Sequence, residues 1–167
     1  TSSAIGTGTL TLDGGTLQAG GSYVLANDIT LGANSGTIDA NSHAIELSGD
    51  ITGSTGITFA DSGSTQSSAV LLSGNNTYSG MTTISSGLIV ARSGTALSAN
   101  SDYVVNGAGY PGNPGYLDLS GYSQTIRSPA GDANGLVANT GGNGNTVATL
   151  TTTPASGYGD SVLGAQI

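Results

Sequence analysis

The chain has 167 residues, only 7% of them charged, with 29 glycines and neither cysteine nor tryptophan. Ten acidic residues stand against two basic ones, Arg92 and Arg127, so the net charge is −8. This excludes nucleic-acid binding and attachment to an anionic membrane surface, since both need clustered basic residues, and the lack of cysteine excludes disulfides and thiolate metal sites.

Short apolar clusters recur along the whole chain and are separated by corners rich in glycine and asparagine. In chain order they lie at residues 9–12, 15–18, 23–25, 29–31, 37–39, 44–47, 56–59, 69–72, 82–84, 88–90, 103–105, 116–119, 124–126, 135–137, 147–150 and 160–163. Several alternate apolar with polar residues, as at Leu10 and Leu12, which is typical of a strand with one buried face. The pattern predicts an all-β protein with no α-helix.

Strands this short, at regular spacing, are typical of a sandwich, a barrel or a solenoid. The uniform corner chemistry and an aliphatic core with a single phenylalanine favour the solenoid. A disordered linker is disfavoured because 36% of the residues are hydrophobic. We therefore predict a right-handed parallel β-helix of about seven rungs, with residues 1–167 forming one segment of a longer chain. No apolar run approaches the ~20 residues that cross a bilayer, so we predict no membrane span in this segment.

Residues 72–90 carry the most specific motif. They resemble the passenger-associated repeat of bacterial autotransporters, which reads leucine, glycine, Asn-Thr-Tyr, glycine, threonine, a β-branched residue and a further glycine before an apolar strand. The matching positions are Leu72, Gly74, Asn76, Thr77, Tyr78, Gly80, Thr82, Ile84, Gly87 and Leu88. Other segments resemble the flanks of that repeat and occur in the expected order: residues 27–39, residues 117–126, and residues 148–150 together with 161–167. The resemblance therefore covers nearly the whole chain.

The resemblance implies a secreted or surface-exposed passenger segment, exported through a C-terminal outer-membrane β-barrel that is not part of this sequence. Such passengers act as adhesins, or as stalks that hold a functional tip away from the cell. The implied protein is extracellular and non-catalytic, needs no cofactor, and contacts a host-cell protein, a glycan or another passenger. The repeat marks folding and export, so it names no ligand.

Residues 107–116 depart from the family by inserting a run rich in proline and glycine. Pro111 and Pro114 cannot donate ladder hydrogen bonds, so we expect this run to leave the coil as a surface loop. Three tyrosines lie in it or close after it: Tyr110, Tyr116 and Tyr122. We predict them as ligand contacts, because an exposed tyrosine offers a flat apolar face with a polar tip; the alternative is that they pack on the solenoid wall. Tyr78, inside the repeat, is predicted to pack structurally beside its turn.

An enzyme is the alternative function, because polysaccharide lyases also use parallel β-helices, with acids that hold calcium beside a basic residue. Six acids lie in the first third of the chain: Asp13, Asp28, Asp39, Glu46, Asp50 and Asp61. No pair of them is close in sequence to Arg92 or Arg127, so we predict that they cap turns. His43, the only histidine, lacks a nucleophile elbow and a second histidine, so we predict an exposed turn residue.

A third possibility is a solenoid that binds ice or another ordered surface. It is suggested by Thr-x-Thr motifs at Thr9 and Thr11 and at Thr151 and Thr153. Ice binding needs a regular threonine array over many rungs, and the spacing of threonine along this sequence is too irregular to predict one.

Overall fold

The structure, a computed structural model, describes residues 5–63, 68–107, 113–132, 134–141, 144 and 147–153. Across these ranges the chain contains strands of three to five residues and no helix. Consecutive strands lie on different faces, and every pairing is parallel, between strands of neighbouring turns. The chain is thus a parallel β-helix, as predicted.

Three faces, here called A, B and C, follow one another in each turn. Face A contains β1 (Leu10–Leu12), β4 (Ile29–Leu31) and β7 (Ile51–Gly53) and, after two turns without a strand, β14 (Gln124–Ile126) and β17 (Leu150–Thr152). Face B contains β2 (Thr16–Gln18), β5 (Gly36–Asp39), β8 (Ile57–Ala60), β10 (Thr82–Ile84), β12 (Asp102–Val105) and β15 (Ser128–Gly131). Face C contains β3 (Tyr23–Leu25), β6 (Ala44–Leu47), β9 (Ala69–Leu72), β11 (Gly87–Ala91), β13 (Gly115–Asp118) and β16 (Leu136–Ala138).

The described strands form six turns, and β17 extends past the sixth, close to the seven rungs predicted. Neighbouring parallel strands lie about 4.8 Å apart, so the six strands of a face span about 24 Å along the coil axis.

The core is a set of apolar rows that run along this axis. Strand alternation turns every second side chain inward, and the register stacks each on its counterpart in the next turn. The inward row of face B contains Leu17, Ile38, Phe59, Ile84 and Val105, and that of face C contains Ile45, Val70, Ile89 and Leu117. Most of these side chains are fully buried, each worth about 1.5–3 kcal/mol, so the stability of one turn depends on its neighbours.

The outward rows contain stacked threonines. Face B aligns Thr16, Thr37, Thr58 and Thr83, and face A aligns Thr11, Thr30 and Thr52. The rows are regular in space although the threonines are irregularly spaced in sequence, because corners of unequal length absorb the difference. Irregular spacing in the sequence thus still gives threonine rows in the fold, over four turns on face B and three on face A. Thr151 stacks on Thr125, whereas Thr9 and Thr153 lie outside the strands.

Two strands, β7 and β15, were not predicted. Gly53 ends β7 with a φ of 129°, and Pro129 lies within β15; both residue types argue against a strand in sequence. Among the described residues β15 pairs only with β12, so Pro129 occupies an edge strand, where a missing N–H is tolerated. The cluster predicted at 160–163 lies outside the described residues.

Candidate functional site

Residues 72–90 build the turn in which face A first lacks a strand. Backbone hydrogen bonds from Thr77 and Ser79 still reach β7 there, and a side-chain amide adds to them. Asn76 is 4% exposed, and its Oδ1 accepts a hydrogen bond from the Ile51 N–H at 2.8 Å. Its Nδ2 donates to the Ala96 carbonyl at 2.6 Å. One asparagine thus joins three successive turns.

Gln124 makes a similar pair of hydrogen bonds where the strands of face A resume, but both join it to the preceding turn. Its Oε1 accepts from the Leu97 N–H at 3.0 Å, and its Nε2 donates to the Ser93 carbonyl at 2.6 Å. The two amides therefore satisfy a backbone group before the interruption, at Ile51, and groups within it, at Ser93, Ala96 and Leu97. Each would cost about 1–3 kcal/mol if left unpaired.

Tyr78 and the threonine of the repeat face the interior. The Tyr78 hydroxyl lies 2.7 Å from Thr82 Oγ1 and 3.2 Å from the Tyr103 hydroxyl, and Thr82 Oγ1 lies 2.7 Å from Ser101 Oγ. Burial raises the pKa of the Tyr78 phenol, and burial together with the neighbouring Tyr78 raises the pKa of Tyr103. Both phenols are therefore neutral hydrogen-bonding groups of the core, and Tyr78 is not available to a ligand.

The repeat glycines stand where the backbones of adjacent turns touch. A Cβ at Gly74 would lie 2.1 Å from the Gly49 carbonyl oxygen, and one at Gly80 would lie 2.0 Å from the Thr55 carbonyl carbon. No side chain fits at either position, whereas Thr77 is exposed. Residues 72–90 therefore mainly serve to stack the turns on one another.

The six acids of the first third accept hydrogen bonds from residues of neighbouring turns. Asp13 accepts from Asn34, Asp28 from Asp50, Asp39 from Ser62, Glu46 from Ser73, Asp50 from Asn75, and Asp61 from Ser42. Among the described residues, no three acids or histidines are grouped closely enough to hold a metal ion. Arg127 pairs with Asp102, Arg92 is exposed, and His43 lies half-buried in a corner. These acids are used to cap corners.

A cleft of about 280 Å³ opens on the outer side of face C. Its lining residues are Ser68, Gly87, Leu88, Asn113, Pro114, Tyr116, Asp118 and Thr140. Leu88 in β11 and Tyr116 in β13 are register neighbours, and both are half-buried. Together with Pro114 they form an apolar wall.

Two buried carboxyl groups organise the polar side of the cleft. Asp61 is 1% exposed, and its Oδ2 accepts hydrogen bonds from Ser68 Oγ and, at 3.0 Å, from Asn113 Nδ2. Asp118 is 6% exposed, and its Oδ2 accepts from Thr140 Oγ1 at 2.6 Å. Each buried acid thus holds polar lining residues in one orientation.

Of the three predicted contact tyrosines, the two within the described residues, Tyr116 and Tyr122, are not brought together. Tyr116 lines the cleft from within β13, which begins at Gly115, so the last two residues of the predicted loop at 107–116 belong to a strand. The Gly115 N–H donates to the Asn106 carbonyl at 2.7 Å and closes the base of the loop. Tyr122 packs against the core, away from the cleft lining, and Tyr110 lies outside the described residues.

Sequence reasoning missed Asp118, Ser68 and Thr140 as cleft residues. Asp118 had a usable signal, since it interrupts the apolar residues around it in its strand. Ser68 and Thr140 had none, because serine and threonine are common in every corner of this chain and only the fold selects these two.

Comparison of the chain with protein-family models, with curated proteins and with solved structures gave no match. Within the described ranges, no helix has the length and apolar character that a membrane crossing requires. The functional conclusion therefore rests on the geometry of the coil and its cleft.

Proposed function

We propose that this chain is a non-catalytic segment of a secreted or surface-exposed autotransporter passenger, acting as a stalk that carries adhesive contacts. The observation that carries the proposal is the continuous parallel coil, in which two six-stranded faces stay in register around one core. In such a solenoid each turn contacts only its neighbours, so length is added without a change of cross-section. This geometry suits a spacer that holds a functional site away from the cell.

The chemistry of the polar groups supports the same proposal. The acids accept hydrogen bonds from corner residues, and Arg127 is paired with Asp102. Both kinds of group are thereby engaged in holding turns together. The polysaccharide-lyase alternative predicts instead the release of unsaturated sugar ends from a polyuronate, which absorbance of the product double bond would report.

In this proposal the parent chain is tethered through an outer-membrane β-barrel, and its contacts are a host-cell protein, a glycan or a second passenger. The test is display of the full chain, carrying an N-terminal epitope and fused to an autotransporter barrel. We expect antibody labelling of intact cells and cleavage of the epitope by added protease.

The matched pair for this test is Asn76→Ala and Asn75→Ala. The first removes the amide that joins three turns and should lower display, whereas the second changes an exposed neighbour and should not. A chain that is folded when purified but never reaches the cell surface in the fusion would overturn the proposal.

A second candidate function, binding to ice or another ordered surface, is favoured by the threonine row of face B. Its four members, Thr16, Thr37, Thr58 and Thr83, repeat at the strand spacing of about 4.8 Å. The test is thermal hysteresis of the purified chain. Hysteresis that is lost in a Thr37→Tyr, Thr58→Tyr double variant would support this candidate, and the absence of hysteresis in the parent chain would exclude it.

A further inference from the structure

We propose that the cleft beside Tyr116 binds a neutral saccharide. This inference rests on the proposed function. It adds to that function a specific adhesive site and the chemical class of its ligand. The inference depends on three properties of the cleft: an apolar wall, a rim of hydrogen-bond acceptors and the sign of the nearby charge.

The apolar wall matches the face of a sugar ring. Tyr116, Leu88 and Pro114 line it, and the tyrosine supplies a flat ring with a polar tip. A pyranose presents C–H groups on one face and hydroxyls around its edge, so it can pack on such a wall while its hydroxyls stay in reach of polar groups. The volume of about 280 Å³ lies just below the usual lower limit for small-molecule sites, about 300 Å³, so the cleft suits a ligand no larger than one ring.

The rim accepts hydrogen bonds. Ser68 and Thr140 donate their hydroxyl protons to Asp61 and Asp118, and a hydroxyl has only one proton to give. Thr140 is exposed, so its oxygen keeps lone pairs that a ligand can reach, whereas Ser68 is 3% exposed and serves to fix Asp61. Asn113 is held through its Nδ2, which leaves its carbonyl oxygen as a further acceptor. A ligand that suits this rim supplies several O–H donors.

The charge around the cleft disfavours anions. Two buried acids, Asp61 and Asp118, lie directly behind the rim, and no basic residue is among the lining residues. Arg127 is paired with Asp102, and the whole chain has a net charge of −8. An acidic sugar would meet repulsion with no cation to offset it, so the ligand is a neutral saccharide.

The test is binding of the purified full chain to methyl glycosides of glucose, galactose, mannose and fucose and to N-acetylglucosamine. Glucuronic acid and sialic acid serve as anionic probes. Saturation-transfer NMR detects binding, and titration gives the Kd. We expect saturable binding of at least one neutral probe and none of the anionic ones.

Three variants locate the site. Tyr116→Ala should weaken binding at least about tenfold, and Tyr116→Phe, which keeps the ring, should stay within about threefold of the parent chain. The matched control is Tyr23→Ala, because Tyr23 is 47% exposed on the same face C and does not line the cleft. Circular dichroism and urea unfolding show that each variant is folded.

Binding of a neutral probe that survives Tyr116→Ala, binding of anionic probes alone, or no saturable binding by folded protein would each overturn the saccharide site. None of these results bears on surface display of the chain, so the stalk proposal stands or falls separately.

Discussion

At the scale of single residues, side-chain amides make hydrogen bonds that backbone strands make elsewhere in the coil. Asn76 accepts from one turn and donates to another, whereas Gln124 accepts from and donates to the same preceding turn. Both amides are buried, and so are three of their partners, Ile51, Ala96 and Leu97. The loss of stability on removing one amide is therefore determined mainly by the backbone groups left without a hydrogen bond, and less by the lost bond itself.

Asn76→Ala should lower the free energy of unfolding by about 3 kcal/mol, because it leaves the Ile51 N–H and the Ala96 carbonyl unpaired in a buried place. Urea denaturation followed by circular dichroism measures the change. Asn75→Ala is the control, since Asn75 is exposed and its backbone N–H, which the variant keeps, makes the hydrogen bond to Asp50. Equal stability of the two variants would show that the amide does not hold the turns.

At the scale of elements, the corner between faces B and C is held by a buried carboxyl group. Asp39 accepts hydrogen bonds from Gln18 of the previous turn, from Asn41 of its own corner and from Ser62 of the next turn. Burial acts to raise the pKa of Asp39, but these hydrogen bonds outweigh it and hold the pKa below the ordinary value of 3.8. The charged form is therefore favoured by folding.

The stability that Asp39 contributes should be present above the unfolded pKa of 3.8 and be lost as the pH falls through the lower folded pKa. Asp39→Asn cannot be titrated at this position, so the stability difference between parent and variant should shrink between about pH 6 and about pH 2. Urea unfolding across this range measures it. Thr37→Ser, an outward change on the same strand, is the control, and its difference from the parent chain in free energy of unfolding should not depend on pH. A difference that is also constant for Asp39→Asn would contradict the prediction.

At the scale of the whole molecule, stability comes from the stacking of inward rows. Phe59 is fully buried and lies between Ile38 and Ile84 in the row of face B. Every turn of a solenoid contacts only the turns next to it, so damage at one level spreads along the axis with decreasing effect.

Phe59→Ala should cost about 4 kcal/mol, because it opens a cavity in the middle of the row. Leu71→Ala, on the outward side of face C and only half-buried, should cost about 1 kcal/mol. Amide hydrogen exchange should quicken most in β5, β8 and β10 and least in β17, the described strand farthest along the axis. Uniform quickening in all strands would show one globally cooperative unit instead.

Local chemistry explains how much of this could be predicted from sequence. Alternation at Leu10 and Leu12, or at Ile45 and Leu47, marks strands because a period of two is a property of neighbours in the chain. The strands β7 and β15 were not predicted, because Gly53 and Pro129 interrupt the alternating pattern. Only their pairing with adjacent turns makes these segments strands. Tyr116 was singled out because it ends the proline- and glycine-rich run, whereas most residues that line the cleft with it carry no local signal.

The sequence by itself determined the all-β class, the solenoid and most strand positions, since these follow from period, corner residues and a small-residue composition. Only the tertiary structure decided which side chains share a row and which line the cleft. Parallel pairing joins residues that lie a full turn apart through corners of unequal length, so no spacing in the sequence encodes the contacts. Asn113 and Asp61, 52 residues apart, meet beside Tyr116 because the coil returns to the same place twice between them.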